Sequence, residues 1–340
     1  MYVQSGTYNG SLAMTNGISI FGGYNINWKR APYVDVVFGT HNTGSAVDLL
    51  HRASDEGPVM EILAESDAFP SALPVRRDLA WSAWVTIQIG CDNNCAFCIV
   101  PAVRGVEISR PFEEVVDEVR GLAAAGTVEV TLLGQNVNSY GTRLRPEPRR
   151  FSELLHAVDA IDGIERIRYT SPHPKDMRED VILAHAQLAS VCEHIHLPLQ
   201  SGSSRILKAM RRTYTRERYL DRVALIREHV PDAAITTDVI VGFPGETDED
   251  FAETLSAVRE VGFDDAFTFK FSPRDGTPAT KMPAEWTIPD EVASARLETL
   301  VSTVRGMARE QNLAMLGRTC EVLVEKDARK NDLLQARTRD

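Results

Sequence analysis

The stretch GCDNNCAFCIVPAVRG, residues 90–105, places Cys91, Cys95 and Cys98 within eight positions, and only Cys192 and Cys320 remain among five cysteines. An odd number so clustered is a poor disulfide framework and a better metal site in a reducing compartment. A structural zinc wants four ligands, usually as pairs of cysteines or of cysteine and histidine. The nearest histidines in sequence, His51 and His156, have no ligand spacing to the cluster. An iron–sulfur cube is normally held by four thiolates, so three would leave one iron open to a substrate or cofactor. Structural zinc and buried thiols are the competing readings.

The elements that must position these thiols alternate along the chain. Runs rich in β-branched and aromatic residues, VTIQIG (85–90), EVTLLG (129–134), RIRYTS (166–171), HIHLPLQ (194–200), AITTDVIVGF (234–243) and AFTFKFS (266–272), predict buried strands. Between them lie helical patterns such as PFEEVVDEVRGLAAAG and ETDEDFAETLSAVREVG, opened by Pro or acidic residues and closed on Gly. Six strand–helix units predict an α/β fold with a parallel sheet, as an open, partial (β/α)6 barrel; a doubly wound sheet is second. In either, ligands gather at the C-terminal strand ends. There the sequence offers GCDNNC, GQNVNSYG, SPHP, QSGS, GFPGET and SPRDGTP.

A net charge of −11 argues against nonspecific coating of nucleic acid. One local basic patch, KAMRRTYTRERY (208–219), is either an RNA contact or a solvated helical face. No apolar run reaches the length of a membrane span and no signal peptide opens the chain, which makes the cytoplasm the expected location. Residues 1–28 carry no clear period; 29–80 hold a strand-like VDVVFG, a short helix GSAVDLLHRAS and a linker with FPSALP. The core is expected over 81–316, ending in a long amphipathic helix from 288, and 317–340 opens a small β domain.

C-x3-C-x2-C after a first strand resembles the radical S-adenosylmethionine (SAM) superfamily, and Phe97 fits the aromatic common inside that motif. The likeness extends through GQNVNSYG, YTSPHP, HLPLQSGSSRILKAMRRTYTRERY, VIVGFPGETDEDF and FSPRDGTPA, about residues 81–280, to the methylthiotransferase family of these enzymes. The long helix and strand start continue it to 340, and APYVDVVFGTHNTGS resembles the end of the family's N-terminal domain. The resemblance implies a [4Fe-4S] cluster on Cys91, Cys95 and Cys98 whose open iron takes S-adenosyl-L-methionine. One-electron cleavage then gives a deoxyadenosyl radical that abstracts hydrogen from substrate. It implies cofactor contacts at Gln135, Asn136, Ser171 and Gln200, with loop capping as the plain alternative for these four.

GQNVNSYG resembles the branch acting on C2 of N6-isopentenyladenosine beside the anticodon of tRNA, rather than the ribosomal-protein branch with its acidic QDT-like loop. The implied partners are tRNA, an electron donor and a sulfur source, with no membrane. GFPGE lacks the Lys and Ser/Thr of a phosphate loop and is expected as a backbone wall near the adenine. His173, His194 and His196 are expected to be structural, and Cys192 and Cys320 small buried hydrophobes.

The chain departs from the family in one respect. Members have three further cysteines that hold a second [4Fe-4S] cluster, and here no cysteine precedes Cys91. The N-terminal domain and the C-terminal RNA-binding TRAM domain are therefore expected to be truncated, with an exposed apolar patch where the former would dock. The alternative functions are a ribosomal-protein methylthiotransferase, or an inactive iron–sulfur or tRNA-binding remnant.

Overall fold

A computed structural model describes residues 20–21, 36–38, 45–61, 79–327 and 333–340. Residues 1–19, most of the 29–44 stretch and the FPSALP linker lie outside them.

The first part is a small parallel sheet of β1 (Ile20–Phe21), β2 (Val36–Phe38) and β3 (Val59–Glu61), with α1 (Ala46–Glu56) crossing between β2 and β3. Val36, Leu49, Ala53 and Val59 form its core. The expected strand and helix of this region are both present.

The main body follows: β4 (Ser82–Thr86), β5 (Gln88–Ile89), α2 (Val100–Arg104), β6 (Ile108–Ser109), α3 (Phe112–Ala124), β7 (Glu129–Leu133), α4 (Phe151–Asp159) and β8 (Arg166–Tyr169). Then come α5 (Glu179–Gln187), β9 (His194–His196), α6 (Ser204–Ala209), α7 (Arg216–His229), β10 (Ala234–Val241), α8 (Asp248–Val261), β11 (Asp265–Lys270) and α9 (Asp290–Ala314). β4, β7 and β8 pair in parallel, as do β9, β10 and β11. A parallel bridge from Ile167 to Val191 joins the two triplets, so six strands run in chain order. Among the described residues β4 and β11 do not pair, which leaves the α/β arrangement open rather than a closed barrel.

Alternation explains the strands. In β10, Ile235, Thr237, Val239 and Val241 are buried while Ala234, Thr236, Asp238 and Ile240 are partly exposed, the period of two that puts successive side chains on opposite faces. Val115, Val119 and Leu122 make the buried stripe of α3 at helical spacing. α8 opens on a capping box in which Thr247 and Asp250 bond each other's backbone, and ends at Gly262 with φ +67 in the left-handed region.

Three elements differ from the sequence expectation. The first core strand lies at 82–86, not 85–90, because the chain changes partners at Ile87. The Ile87 N–H donates to Leu133 O, but its carbonyl accepts from Arg110 N, and 88–89 pair antiparallel with β6. The fourth strand stops at His196 because Pro198 has no N–H for the ladder; the Thr237 hydroxyl instead accepts from Leu199 N and donates to Leu197 O. After the long helix the chain forms two strands rather than one start, an antiparallel pair of β12 (Val322–Asp327) and β13 (Leu334–Thr338). Cys320 precedes that pair and is exposed, not buried, whereas Cys192 is buried.

Candidate functional site: a cysteine loop at the strand ends

Cys91, Cys95 and Cys98 lie between the end of β5 and the start of α2. Gly90, just before them, has φ +75, and a Cβ there would stand 2.0 Å from Val106 O. Only glycine lets the chain turn into the loop at this approach. The loop is then tied from both sides: Ala96 N donates to Met210 O at 2.9 Å, and Ala96 O accepts from Ala279 N at 2.8 Å. Ala96 packs with Ile206, Met210, Phe243 and Ala279, and partly buried Phe97 rests on that cluster.

Cys91 and Cys95 are buried and Cys98 is partly so. Asn93 directs its backbone and side-chain N–H groups at Cys91 Sγ, 3.4 and 3.5 Å away. Arg212 Nη1 donates to Cys95 Sγ at 3.2 Å. Burial pushes the Cys91 and Cys98 thiols up; the neighbouring cysteines add to it, and Arg212 opposes it at Cys98. A metal must displace those protons, and the donors around the loop favour the thiolate it would create. Among the described residues no group of three or more His, Cys, Asp or Glu converges on one ion.

The loop after β7 joins this site directly. Gln135 Oε1 accepts from Gly90 N at 2.6 Å, and Asn136 N donates to Gln88 Oε1 at 3.2 Å. Asn136 is buried; its Nδ2 donates to Asp176 Oδ2 at 2.9 Å, while its Oδ1 is buried without a partner. A buried orphan acceptor is costly unless something donates to it, and an ammonium or hydroxyl of a bound cofactor would do so. Two of the expected cofactor residues, Ser171 and Gln200, have φ +57 and +69, left-handed values rare for residues with a Cβ. Such strain concentrates at ligand-binding positions. Ser171 O accepts from Val137 N at 3.4 Å, so the third strand end abuts the second. Gln200 carries the parallel bridge to Val239. The three thiols, the orphan at Asn136 and the strained pair fit a cluster with a polar small-molecule cofactor.

GFPGE spends a backbone N–H within the fold. Glu246 Oε2 accepts from Gly242 N at 2.7 Å and from Arg296 Nη1 at 2.8 Å, which closes the loop on itself. His173, His194 and His196 are all engaged. His173 Nδ1 accepts from Lys175 N, and His194 and His196 each share a 3.0 Å bond with the Thr236 hydroxyl. The basic patch is used only in part within the fold: Tyr214 and Tyr219 are buried, Arg216 pairs with Glu260 and Arg212 reaches the cysteine loop, while Lys208, Arg211 and Arg218 are exposed.

Sequence reasoning missed Arg212, Gln88 and Asp176 as members of the site. The first contact spans 117 residues of chain, and no local periodicity signals it.

Beside the loops lies a cavity of about 640 Å³, lined by Ser171, Trp84, Arg168, His196, Asp238, Phe267 and neighbours along the exposed strand faces. Trp84, Phe267 and Phe269 are exposed there, at 68%, 64% and 49%.

The chain is 51% identical over 317 residues to the tRNA-2-methylthio-N(6)-dimethylallyladenosine synthase of Thermobifida fusca, covering 92% of this chain and 64% of that protein. It is 50% identical to the enzyme of the same name from Saccharopolyspora erythraea, with the same coverage. The chain thus spans a little under two thirds of the length of these curated relatives. Coproporphyrinogen III oxidase (HemN) from Escherichia coli, a radical SAM enzyme, superposes with TM-score 0.51 at 16% identity, over 67% of this chain and 52% of that one, a likeness of fold alone. Residues 85–258, half of the chain, match the radical SAM superfamily model, and the protein belongs to that superfamily.

Proposed function

We propose that this chain is the radical SAM core of a tRNA methylthiotransferase that modifies C2 of N6-isopentenyladenosine beside the anticodon. The observation that carries the reading is 51% identity, over 92% of the chain, to a synthase named for that product. Cys91, Cys95 and Cys98 hold a [4Fe-4S] cluster, and Gln135, Asn136, Ser171 and Gln200 form the S-adenosyl-L-methionine side of the site. When bound, these groups supply one-electron chemistry that generates a hydrogen-abstracting radical.

The chain's own residues do the rest. Gly90 and the Ala96 bonds fix the cysteine loop, Gln135 ties the cofactor loop to it, and Asn136 presents an acceptor. The cavity beside Ser171 supports a prenylated base as substrate: Trp84, Phe267 and Phe269 offer apolar walls for a flat ring and its tail. His196 and Asp238, 3.4 Å apart, offer polar contacts to ring edges. The reading assigns one cluster to Cys91, Cys95 and Cys98 and calls for an electron donor and a sulfur source as partners. Among the described residues no helix is long and apolar enough to cross a membrane; with tRNA as the proposed substrate, the proposed location is the cytoplasm. Domain limits of 29–80, 81–316 and 317–340 suit this reading, the last as the start of a TRAM domain.

The test is mass spectrometry of tRNA from cells lacking the gene. Loss of methylthio-isopentenyladenosine with accumulation of isopentenyladenosine is expected; an unchanged methylthio level would overturn the assignment.

A further inference from the structure

Arg212 is a cation bonded directly to one of the three cysteine sulfurs, whereas Arg143 meets the cysteine loop through Asp92. Its Nη1 donates to Cys95 Sγ at 3.2 Å, and its Nε donates to the Tyr214 hydroxyl at 3.0 Å. The guanidinium carbon lies 5.1 Å from the Tyr214 ring centroid. Tyr214 is itself fixed, with its buried hydroxyl directed at the carbonyls of Pro198 and Leu199, 2.8 and 3.0 Å away. Both hydrogen bonds of Arg212 thus go to a sulfur and a phenol rather than to a carboxylate. The cysteine loop is held to the same segment by the bond from Ala96 N to Met210 O, two residues before Arg212. Neither partner is free to drift from the other.

We propose that Arg212 is a positioning residue that sets the reduction potential of the cluster by holding a permanent positive charge and an N–H against the Cys95 ligand sulfur. One-electron reduction adds a negative charge to the cluster. A fixed cation in contact with a ligand sulfur stabilises that added charge, and a hydrogen bond to the sulfur drains electron density from it. Both effects move the potential upward and make the cluster easier to reduce. A guanidinium suits the task because it stays charged and its planar fork engages Cys95 and Tyr214 at once. The inference rests on the reading of Cys91, Cys95 and Cys98 as cluster ligands and is independent of the tRNA assignment.

The experiment is an anaerobic potential titration of the reconstituted chain, followed by the electron paramagnetic resonance signal of the reduced cluster, with iron counted in each sample. Arg212→Met removes charge and donor; Arg212→Gln removes the charge and keeps an amide donor on a shorter side chain. The midpoint is expected to move to more negative values in both, farther in Met, with iron content retained. A loaded Gln variant with the wild-type midpoint would overturn the proposal. So would loss of iron from both variants, since Arg212 would then hold the loop rather than tune it. Failure of the wild-type chain to load iron would instead reject the cluster reading beneath it.

Discussion

Asn136 is the residue whose surroundings ask most plainly for a ligand. Its amide nitrogen is satisfied by Asp176, its backbone N–H by Gln88, and its Oδ1 is buried with nothing to accept from. Supplying that donor is worth about 1–3 kcal/mol. Asn136→Ala is therefore expected to weaken S-adenosyl-L-methionine binding by about tenfold, the equivalent of ~1.4 kcal/mol, while leaving iron per chain unchanged. Calorimetric titration against the reconstituted protein reads the first quantity and iron analysis the second. Unchanged affinity would remove Asn136 from the cofactor site. The three cysteines stand out in the sequence by type and spacing alone, and the structure sets them on one loop at a strand end. The strain at Ser171 and Gln200 was not, because a backbone angle leaves no mark on a Ser or Gln. Arg212 was legible only as one charge in a basic run; its contact with Cys95 exists because α6 and the cysteine loop fold against each other.

The strand ends and their loops decide whether those residues meet. Gly90 is the tightest point, with a left-handed φ and the Val106 carbonyl where a Cβ would go. Gly90→Ala must push the β6 approach aside, since the obstructing atom is backbone. It is expected to lower the melting temperature and to reduce iron per chain well below wild type, read by thermal unfolding and iron analysis. A variant that keeps both would show that the turn is not what presents Cys91. At this scale the sequence reported the elements better than their limits. Alternation in AITTDVIV marked β10 nearly in full, because each buried Ile, Thr or Val faces the helices. HIHLPLQ looked like seven residues of strand, yet Pro198 breaks the ladder and Thr237 fills in with its side chain. The short α2 and α6 carried too few residues for a period to show.

At the scale of the whole molecule the six-stranded arc is held by buried polar groups as well as by its apolar core. His185 is buried, shares a 2.6 Å bond with the Tyr169 hydroxyl and a 2.8 Å bond with Cys192 O, and burial lowers its pKa to about 4. Burial likewise lowers His194 to about 4. From pH 6.5 down to about 4 the unfolded chain binds protons that the folded one refuses, so stability falls as pH falls through that window. For His185 the loss is up to about 3 kcal/mol. Urea unfolding at pH 7.5 and 4.5 is expected to show the drop, and His185→Gln to shrink it; an equal drop in both proteins would place the sensitivity elsewhere. The C-terminal pair also joins the arc, where Glu129 accepts from Arg168 and Arg337 and Arg339 reaches Glu193. Composition foretold none of these long-range ties.

The central claim is that this chain builds a working radical SAM site from Cys91, Cys95 and Cys98. Its most direct test is anaerobic reconstitution with iron and sulfide, followed by S-adenosyl-L-methionine and a reductant, with iron and released 5′-deoxyadenosine quantified together. About four irons per chain and release of 5′-deoxyadenosine, both lost when any of the three cysteines is changed to serine, are the predicted result. A colourless protein, or a four-iron protein that releases no 5′-deoxyadenosine, would contradict it.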